Sequence, residues 1–195
     1  QLVGGHIDLS GSTPIHRYGD AITTQTEGSY TKARFSLLHR RDLGAQNTLL
    51  ASAQTQWASK NLDSSEKFFL GGASGVRAYP TNEAGGTLGQ LASLEWQRHF
   101  TWEQRRVTAA GFYDTGRITI NKYNNFTNAP SKNSYGLSGA GFWLGTSIPN
   151  RYGLTTMRFT AAHRLGTNEG ATTAGLDQDG TRVLNRYRFS LTQTF

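Results

Sequence analysis

The sequence predicts an all-β protein, specifically an antiparallel transmembrane β-barrel with eight strands present. Two observations support this fold class. Apolar and polar residues alternate with a period of two through eight segments, and the connections between those segments alternate between short and long. The composition agrees, because the chain has 23 Gly, 8 Tyr and 10 Phe but only 4 Pro. A hydrophobic content of 36% is compatible with a membrane barrel, since only every second strand residue faces lipid.

The eight predicted strands follow one another along the whole chain. In order, they are residues 2–10, 30–40, 48–57, 86–100, 106–120, 134–148, 155–165 and 183–195. In the last of them, one face carries Phe189 and Leu191 and the other carries Arg188 and Ser190. A shift of one residue would exchange the two faces, so the register of this strand is strongly specified.

Other strands show the same division between an apolar and a polar face. The apolar faces carry Ala33, Phe35 and Leu37 in 30–40, Leu49, Ala51, Ala53 and Trp57 in 48–57, and Met157, Phe159, Ala161 and Leu165 in 155–165. The segment 134–148 is the least regular, because the adjacent Phe142 and Trp143 must face opposite ways. The polar faces carry Arg, Lys, Gln and Ser, as the wall of a water-filled barrel does.

The connections supply the second signal for a membrane barrel. Short turns are predicted near 43–46, 101–104 and 149–152, and long polar connections at 11–29, 62–85, 121–133 and 167–181. Outer-membrane barrels have short periplasmic turns and long extracellular loops, and their strands of about ten residues cross the bilayer at a tilt. A soluble antiparallel sandwich or a lipocalin-like barrel also alternates, and it remains an alternative at this point.

Composition and charge argue against several classes of protein. No window approaches the roughly 20 apolar residues of a membrane helix. The absence of cysteine excludes disulfide bonds and thiolate-bound metals. The net charge is +7, but the 20 Lys and Arg residues are spread along the chain, with 39–41 as their longest cluster, so no nucleic-acid partner is expected. Residues 1–10 lack the features of a signal peptide, so either the signal has been removed or the chain is part of a longer one.

An apolar, glycine-rich segment interrupts one of the long connections. Residues 68–80 read FFLGGASGVRAYP. A loop in water has no need of Phe68, Phe69 and Leu70, so this segment is predicted to pack inside the molecule. A second distinctive segment, GFYDTGRI at 111–118, places Phe112, Asp114 and Gly116 on one face of a strand.

These segments resemble the TpsB transporters of two-partner secretion, the FhaC/ShlB/hemolysin activator family. The resemblance lies in NLDSSEKFFLGGASGVRAYPTNEAGG, in the following GTLGQLASLEWQ, and in GFYDTGRI. That family carries an F-x-LGG…VRGY-like loop and an F-x-D-x-G strand. Ala78 stands where the family usually has glycine, which matters if the position needs a positive φ angle.

The resemblance implies that the loop of about 62–85 folds back into the barrel, where Arg77 pairs with Asp114. A guanidinium inside a barrel needs a partner, and it can meet a carboxylate through two parallel hydrogen bonds. Gly116 is expected to leave room for the incoming backbone. The implied latch consists of Gly71, Gly72, Val76, Arg77, Ala78 and Tyr79, and its implied partners are Asp114, Phe112, Gly116 and Glu95.

Two further sets of residues receive expected roles. Five arginines are predicted to line a polar, basic lumen: Arg34, Arg158, Arg164, Arg186 and Arg188. The final Phe195 resembles the sorting signal of bacterial outer-membrane proteins, which predicts a role in barrel assembly.

The family's full transporters have an N-terminal helix, two POTRA domains and a sixteen-stranded barrel. By this resemblance residues 1–195 are one barrel region, the C-terminal half of that barrel, with no POTRA domain present. Open edges in lipid are costly, so the eight strands must close on themselves, pair with a second copy or join the missing half. The interior of a closed eight-stranded barrel is filled by side chains, so in that form the 62–85 loop is expected to be displaced outward.

The resemblance implies a translocation pore in the bacterial outer membrane that exports an unfolded exoprotein such as a hemolysin or adhesin. The implied partners are outer-membrane lipid, a TpsA-type exoprotein and the barrel-assembly machinery. The alternatives are a barrel-insertase or a fused outer-membrane enzyme of the same superfamily, or a soluble ligand-binding barrel. No nucleophile elbow, phosphate-binding loop or metal-ligand spacing is found, so no enzyme activity, cofactor or metal is expected.

Overall fold

The computed structural model describes residues 1–195 and is built on one antiparallel sheet of eight long strands. Each long strand pairs with the next one along the chain, so the sheet is a meander. The long strands are β1 (Leu2–Ile7), β2 (Gly28–Gly44), β3 (Asn47–Ala58), β6 (Leu88–Trp102), β7 (Arg105–Thr119), β8 (Ser134–Asn150), β9 (Gly153–Arg164) and β10 (Asn185–Thr194). The shorter elements are α1 (Pro14–Ile22), a 3₁₀ turn (Ser64–Glu66), β4 (Phe68–Phe69) and β5 (Gly85–Gly86).

All eight predicted strands are present, and the all-β antiparallel fold is confirmed. Their ends differ by a few residues from the prediction, because backbone pairing continues into the turns after the polarity pattern has ended. The segment predicted at 30–40 lies within Gly28–Gly44, whereas the segment predicted at 2–10 already ends at Ile7.

The sheet is open, because β1 and β10 are its two edges and do not pair with each other. The outward displacement of the 62–85 loop was expected only for a self-closed, eight-stranded barrel, so this open sheet does not test it. The loop between β3 and β6 lies against one face of the open sheet, as its contacts with β7 show.

Short turns and long loops lie at opposite ends of the sheet. Residues 45–46 and 103–104 form two-residue turns, and all four of these residues have positive φ angles between 46° and 65°. Positive φ at both central residues is the geometry that matches the right-handed twist of paired strands. The connections at the other end are long, which fits the predicted periplasmic turns and extracellular loops.

The apolar faces of the strands point away from the loop-covered side of the sheet. Phe35 is 60% exposed, Phe159 41%, Phe189 66% and Leu191 56%, so these side chains do not meet in a dry protein interior. Phe159 stacks on Tyr187 across the β9–β10 pair, with ring centroids 6.3 Å apart. Such a broad exposed apolar face is suited to lipid.

The helix α1 was not predicted, because the connection 11–29 was expected to be polar loop throughout. It spans nine residues, with Pro14 in its first turn, where the missing N–H of proline costs nothing. After the helix, the Asp20 carboxylate accepts hydrogen bonds from the backbone N–H groups of Thr26 and Glu27 and from two threonine hydroxyls. Burial opposes ionisation of Asp20, but these hydrogen bonds outweigh it and lower the pKa. No helix of the structure has both the length and the hydropathy to cross a membrane.

The two faces of β10 predict opposite responses to a new charge. In the complete barrel, we expect Phe189→Arg to lower the free energy of unfolding by about 2–4 kcal/mol, because arginine would replace a lipid-facing ring near mid-strand. Thr192→Arg is the control, since Thr192 lies on the opposite face beside the uncharged Thr156. Urea titration of the barrel folded in lipid vesicles measures both. Equal losses would contradict the assignment of the faces.

Candidate functional site

The candidate site is built by the long loop between β3 and β6, residues 59–87, here called the inner loop. Phe68 and Phe69 of β4 pair with Gly86 and Gly85 of β5, so a short antiparallel pair encloses residues 70–84 of the loop. Within it, Leu70, Val76, Ala78 and Tyr79 have no exposed surface. They pack with residues of β7 and β8 in a single cluster of 14 buried residues that forms the main core of the molecule. The loop therefore supplies the core against which the sheet folds.

Two adjacent glycines allow the inner loop to double back on itself. A Cβ atom on Gly71 would lie 2.2 Å from the carbonyl oxygen of Pro80 and 2.6 Å from Cβ of Glu83, so no larger residue fits there. Gly72 has a φ angle of 122°, which L-residues rarely adopt. These two residues bring the start of the loop against residues 80–83.

Arg77 binds Asp114 of β7 through two parallel hydrogen bonds. Its Nε donates to Oδ2 at 2.8 Å and its Nη2 donates to Oδ1 at 2.8 Å. The backbone N–H of Arg77 also donates to Asp114 Oδ2 at 3.1 Å. Nη1 donates to Glu95 Oε2 of β6 at 2.6 Å. The structure thus brings together Arg77, Asp114 and Glu95, and Asp114 is completely buried.

Further contacts balance the charges of this cluster. The guanidinium carbon of Arg77 lies 3.4 Å from the ring centroid of Phe112, within the range of a cation–π contact. Arg158 on β9 brings its Nη2 to within 3.8 Å of Glu95 Oε2. Two cations therefore face two carboxylates. Buried charges of this kind depend on one another, because removal of one leaves another unpaired in a medium of low dielectric.

The structure gives a different reason for the small residues near the VRAY motif from the one expected. Ala78 does not have a positive φ angle, so alanine in place of glycine causes no backbone strain. Gly116 faces the side chain of Leu70, which would lie 2.4 Å from an added Cβ atom, and not the loop backbone. Gly139 on β8, which the sequence did not single out, faces Ala78 at 2.6 Å by the same measure. Two glycines on the sheet thus accommodate two apolar side chains of the loop.

Each of the five arginines expected to line the lumen makes specific contacts within the protein. Arg34 donates to Gln56 Oε1 at 2.5 Å, and Arg158 lies 3.9 Å above the ring of Trp143. Arg188 donates to the carbonyl oxygens of Arg77 and Tyr79 at 3.3 and 3.1 Å. Arg164 donates to the carbonyl oxygen of Ala78 at 3.4 Å. Arg164 and Arg188 thus attach the loop to β9 and β10.

A second buried cluster joins the inner loop to the connection between β9 and β10, residues 165–184. Asp177 is 2% exposed and accepts hydrogen bonds from Arg164, Arg186 and Asn168. Glu83 of the inner loop has no exposed surface and accepts from Asn168 Nδ2 at 2.9 Å and from the backbone N–H of Gln178 at 2.8 Å. No sequence pattern pointed to Glu83, because its partners lie about 85–95 positions away along the chain.

Hydrogen bonds also hold the base of the inner loop. Gln56 of β3 donates to the carbonyl oxygens of Glu66 and Thr87 at 3.1 and 3.2 Å. Lys32 of β2 donates to the Glu66 carboxylate, and this bond, opposed by burial, lowers the pKa of Glu66 below its usual 4.5. A lowered pKa means that this attachment is complete above pH 4.5 and is lost only as the pH falls through the lower, folded-state value. The loop base therefore stays attached at neutral pH.

The fold and this site together define a class of protein: an outer-membrane β-barrel with a long loop bound against the inner face of its wall. The family described as haemolysin secretion/activation protein ShlB/FhaC/HecB matches residues 8–145, and the chain belongs to this family. The predicted family and the location in the outer membrane of Gram-negative bacteria are confirmed. The members of this family are transporters and not enzymes.

Relatives of known name agree with the family assignment. The chain is 27% identical over 148 residues to the heme/hemopexin transporter protein HuxB of Haemophilus influenzae, and 29% identical over 131 residues to HuxB of strain KW20 Rd. These matches cover 75% and 67% of this chain but only 26% and 23% of the relatives. The matched region thus spans about a quarter of the length of these relatives.

The second cluster predicts that Glu83 holds the 165–184 loop. In the full-length protein, we expect Glu83→Ala to speed amide hydrogen exchange in residues 166–182 by roughly tenfold to a hundredfold, because two hydrogen bonds to a buried charge are lost. Glu169→Ala is the matched control, since Glu169 lies on the same loop and pairs only with the exposed Lys132. Unchanged exchange in Glu83→Ala, or equal change in both variants, would count against this attachment.

Proposed function

We propose that the protein containing this chain is an outer-membrane translocation pore of two-partner secretion, and that the chain supplies the C-terminal half of its barrel. The pore passes an unfolded exoprotein, such as a hemolysin or adhesin, through a polar lumen and performs no catalysis. The observation that carries this proposal is the attachment of the inner loop to the sheet by Arg77, Asp114 and Glu95. The family membership and the transporter relatives support the same function.

The cluster around Arg77 acts as a latch because the attraction between its charges depends on the exclusion of water. Arg77 is 8% exposed and Asp114 is fully buried, so their separation in the closed arrangement would leave two charges without water. A polypeptide entering the lumen brings water and polar backbone groups to both charges. The cost of separating them then falls, since the effective dielectric constant rises. The inner loop can in this way block the empty pore and yield to a substrate.

The edges of the sheet call for additional strands in the complete protein. The free edges of β1 and β10 would leave unpaired backbone groups in lipid, which is very costly. Pairing with the N-terminal strands of a sixteen-stranded barrel satisfies both edges. Phe195 follows β10 and is 96% exposed, which keeps it accessible to the barrel-assembly machinery as a sorting signal. The exposed apolar face gives outer-membrane lipid as the other partner.

The latch is tested by secretion in cells that carry the full-length protein. We expect Arg77→Ala to lower exoprotein secretion by about tenfold or more while the barrel still inserts, because two buried carboxylates lose their common partner. Secretion is measured as exoprotein in the medium, and insertion as heat-modifiable migration of the barrel from isolated membranes.

Arg182→Ala is the control for the secretion test, because Arg182 is an exposed cation on the 165–184 loop. Normal secretion by Arg77→Ala at normal abundance would contradict the latch. Loss of the barrel from the membrane would instead assign Arg77 to folding.

A further inference from the structure

The short-turn end of the sheet carries a strong excess of positive charge. Residues 40–46, 98–106 and 149–154 contain six arginines and two acidic residues. The arginines are Arg40, Arg41, Arg98, Arg105, Arg106 and Arg151. Aromatic side chains lie among them: Trp102 is 66% exposed, and the guanidinium of Arg151 lies 4.5 Å from the ring centroid of Tyr152. Nothing in the translocation pathway proposed above requires this concentration of charge at one end.

Next to these arginines, the lipid-facing side of the sheet contains an apolar groove of about 240 Å³. Its apolar lining consists of Trp102, Val107, Leu144, Met157, Phe159 and Phe189. Leu144 is paired with Phe159 and Phe159 with Phe189, so the groove crosses three adjacent strands on the face that Phe189 exposes. Val107 is only 7% exposed although it belongs to this face, and it lines the groove.

Arg105 connects the groove to the basic end. It lines the groove at the end of β7 and lies on the same face as Val107, two residues further on. Its side chain is exposed and makes no hydrogen bond or ion pair within the protein. Glu103 also lies at this rim, but no ion pair joins it to Arg105. The guanidinium is therefore free to bind an anion at the level where the short turns meet the membrane surface.

We propose that this groove is a binding site for an anionic phospholipid of the periplasmic leaflet. One acyl chain occupies the groove across β7, β8, β9 and β10, and the phosphate and anionic head group meet Arg105, with the neighbouring arginines adding to the local positive potential. Charge complementarity selects this occupant, since a zwitterionic lipid fills the groove equally well but gains less from the six arginines. The site lies on the outer wall. Arg158 also lines the groove, but its guanidinium lies on the inner face, over Trp143 and near Glu95.

The chain offers a matched control for the charge. Arg117 lies on the same strand and the same face as Arg105, but at the long-loop end, where it donates to Ser134 Oγ at 3.0 Å. The test measures lipid binding to the purified full-length protein by native mass spectrometry. The probes are phosphatidylglycerol and phosphatidylethanolamine with identical acyl chains. The measurement needs a folded barrel but no secretion, so it is independent of the proposed pore activity.

We expect the wild-type protein to bind phosphatidylglycerol more tightly than phosphatidylethanolamine. Arg105→Gln should weaken phosphatidylglycerol binding about fivefold, the effect of one cation near a membrane surface, and should leave phosphatidylethanolamine unchanged. Arg117→Gln should change neither. Leu144→Trp, which fills the groove with a lipid-compatible side chain, should weaken both lipids.

Equal binding of the two lipids by the wild-type protein would overturn the proposal. So would equal losses in Arg105→Gln and Arg117→Gln, because they would show a general membrane-surface effect without a site. Heat-modifiable migration shows which variants are folded. If Arg105→Gln does not fold, unchanged lipid binding by Leu144→Trp overturns the proposal alone.

Discussion

The structure depends on the ion pair between Arg77 and Asp114, because this pair determines where the inner loop lies. A buried ion pair adds little net stability, since desolvation of the two charges offsets most of their attraction. It does exclude shifted positions of the packed loop, because a shift that keeps Asp114 covered would take away its cation. The apolar side chains of the loop supply most of the favourable energy, as Leu70, Val76 and Tyr79 are fully buried. The charges determine position and the apolar residues determine stability.

The second cluster extends this constraint to the last two strands. Asp177 is bound by Arg164 of β9 and Arg186 of β10, and Glu83 of the inner loop binds the same connection. Arg188 adds two hydrogen bonds from β10 to the loop backbone. Displacement of the inner loop must therefore break contacts with β6, β7, β9 and β10 together. A loop held by four strands at once moves as a unit or stays in place, which is the behaviour that a latch requires.

Much of the fold was predictable because strand side chains alternate with a period of two. The exposed Phe35 and Phe189 follow directly from that pattern. The helix α1 was missed, because its nine residues are too few for a clear helical period and include a glycine. The pairing of Arg77 with Asp114 came from a family resemblance and not from spacing. Glu83 and Gly139 could not be found in the sequence, because their importance arises only when distant segments pack together.

The size of the inner loop argues for a wider barrel than eight strands can form. A closed eight-stranded barrel has an interior that its own side chains just fill. Here the inner face of the sheet already holds a loop whose buried residues form one core with β7 and β8. Tyr79 lies 4.5 Å from the guanidinium of Arg164, so the loop contacts the wall at its far side as well. Closure of β1 onto β10 would require the space that the inner loop occupies. Further strands between these two edges pair with their backbone groups without expelling the loop.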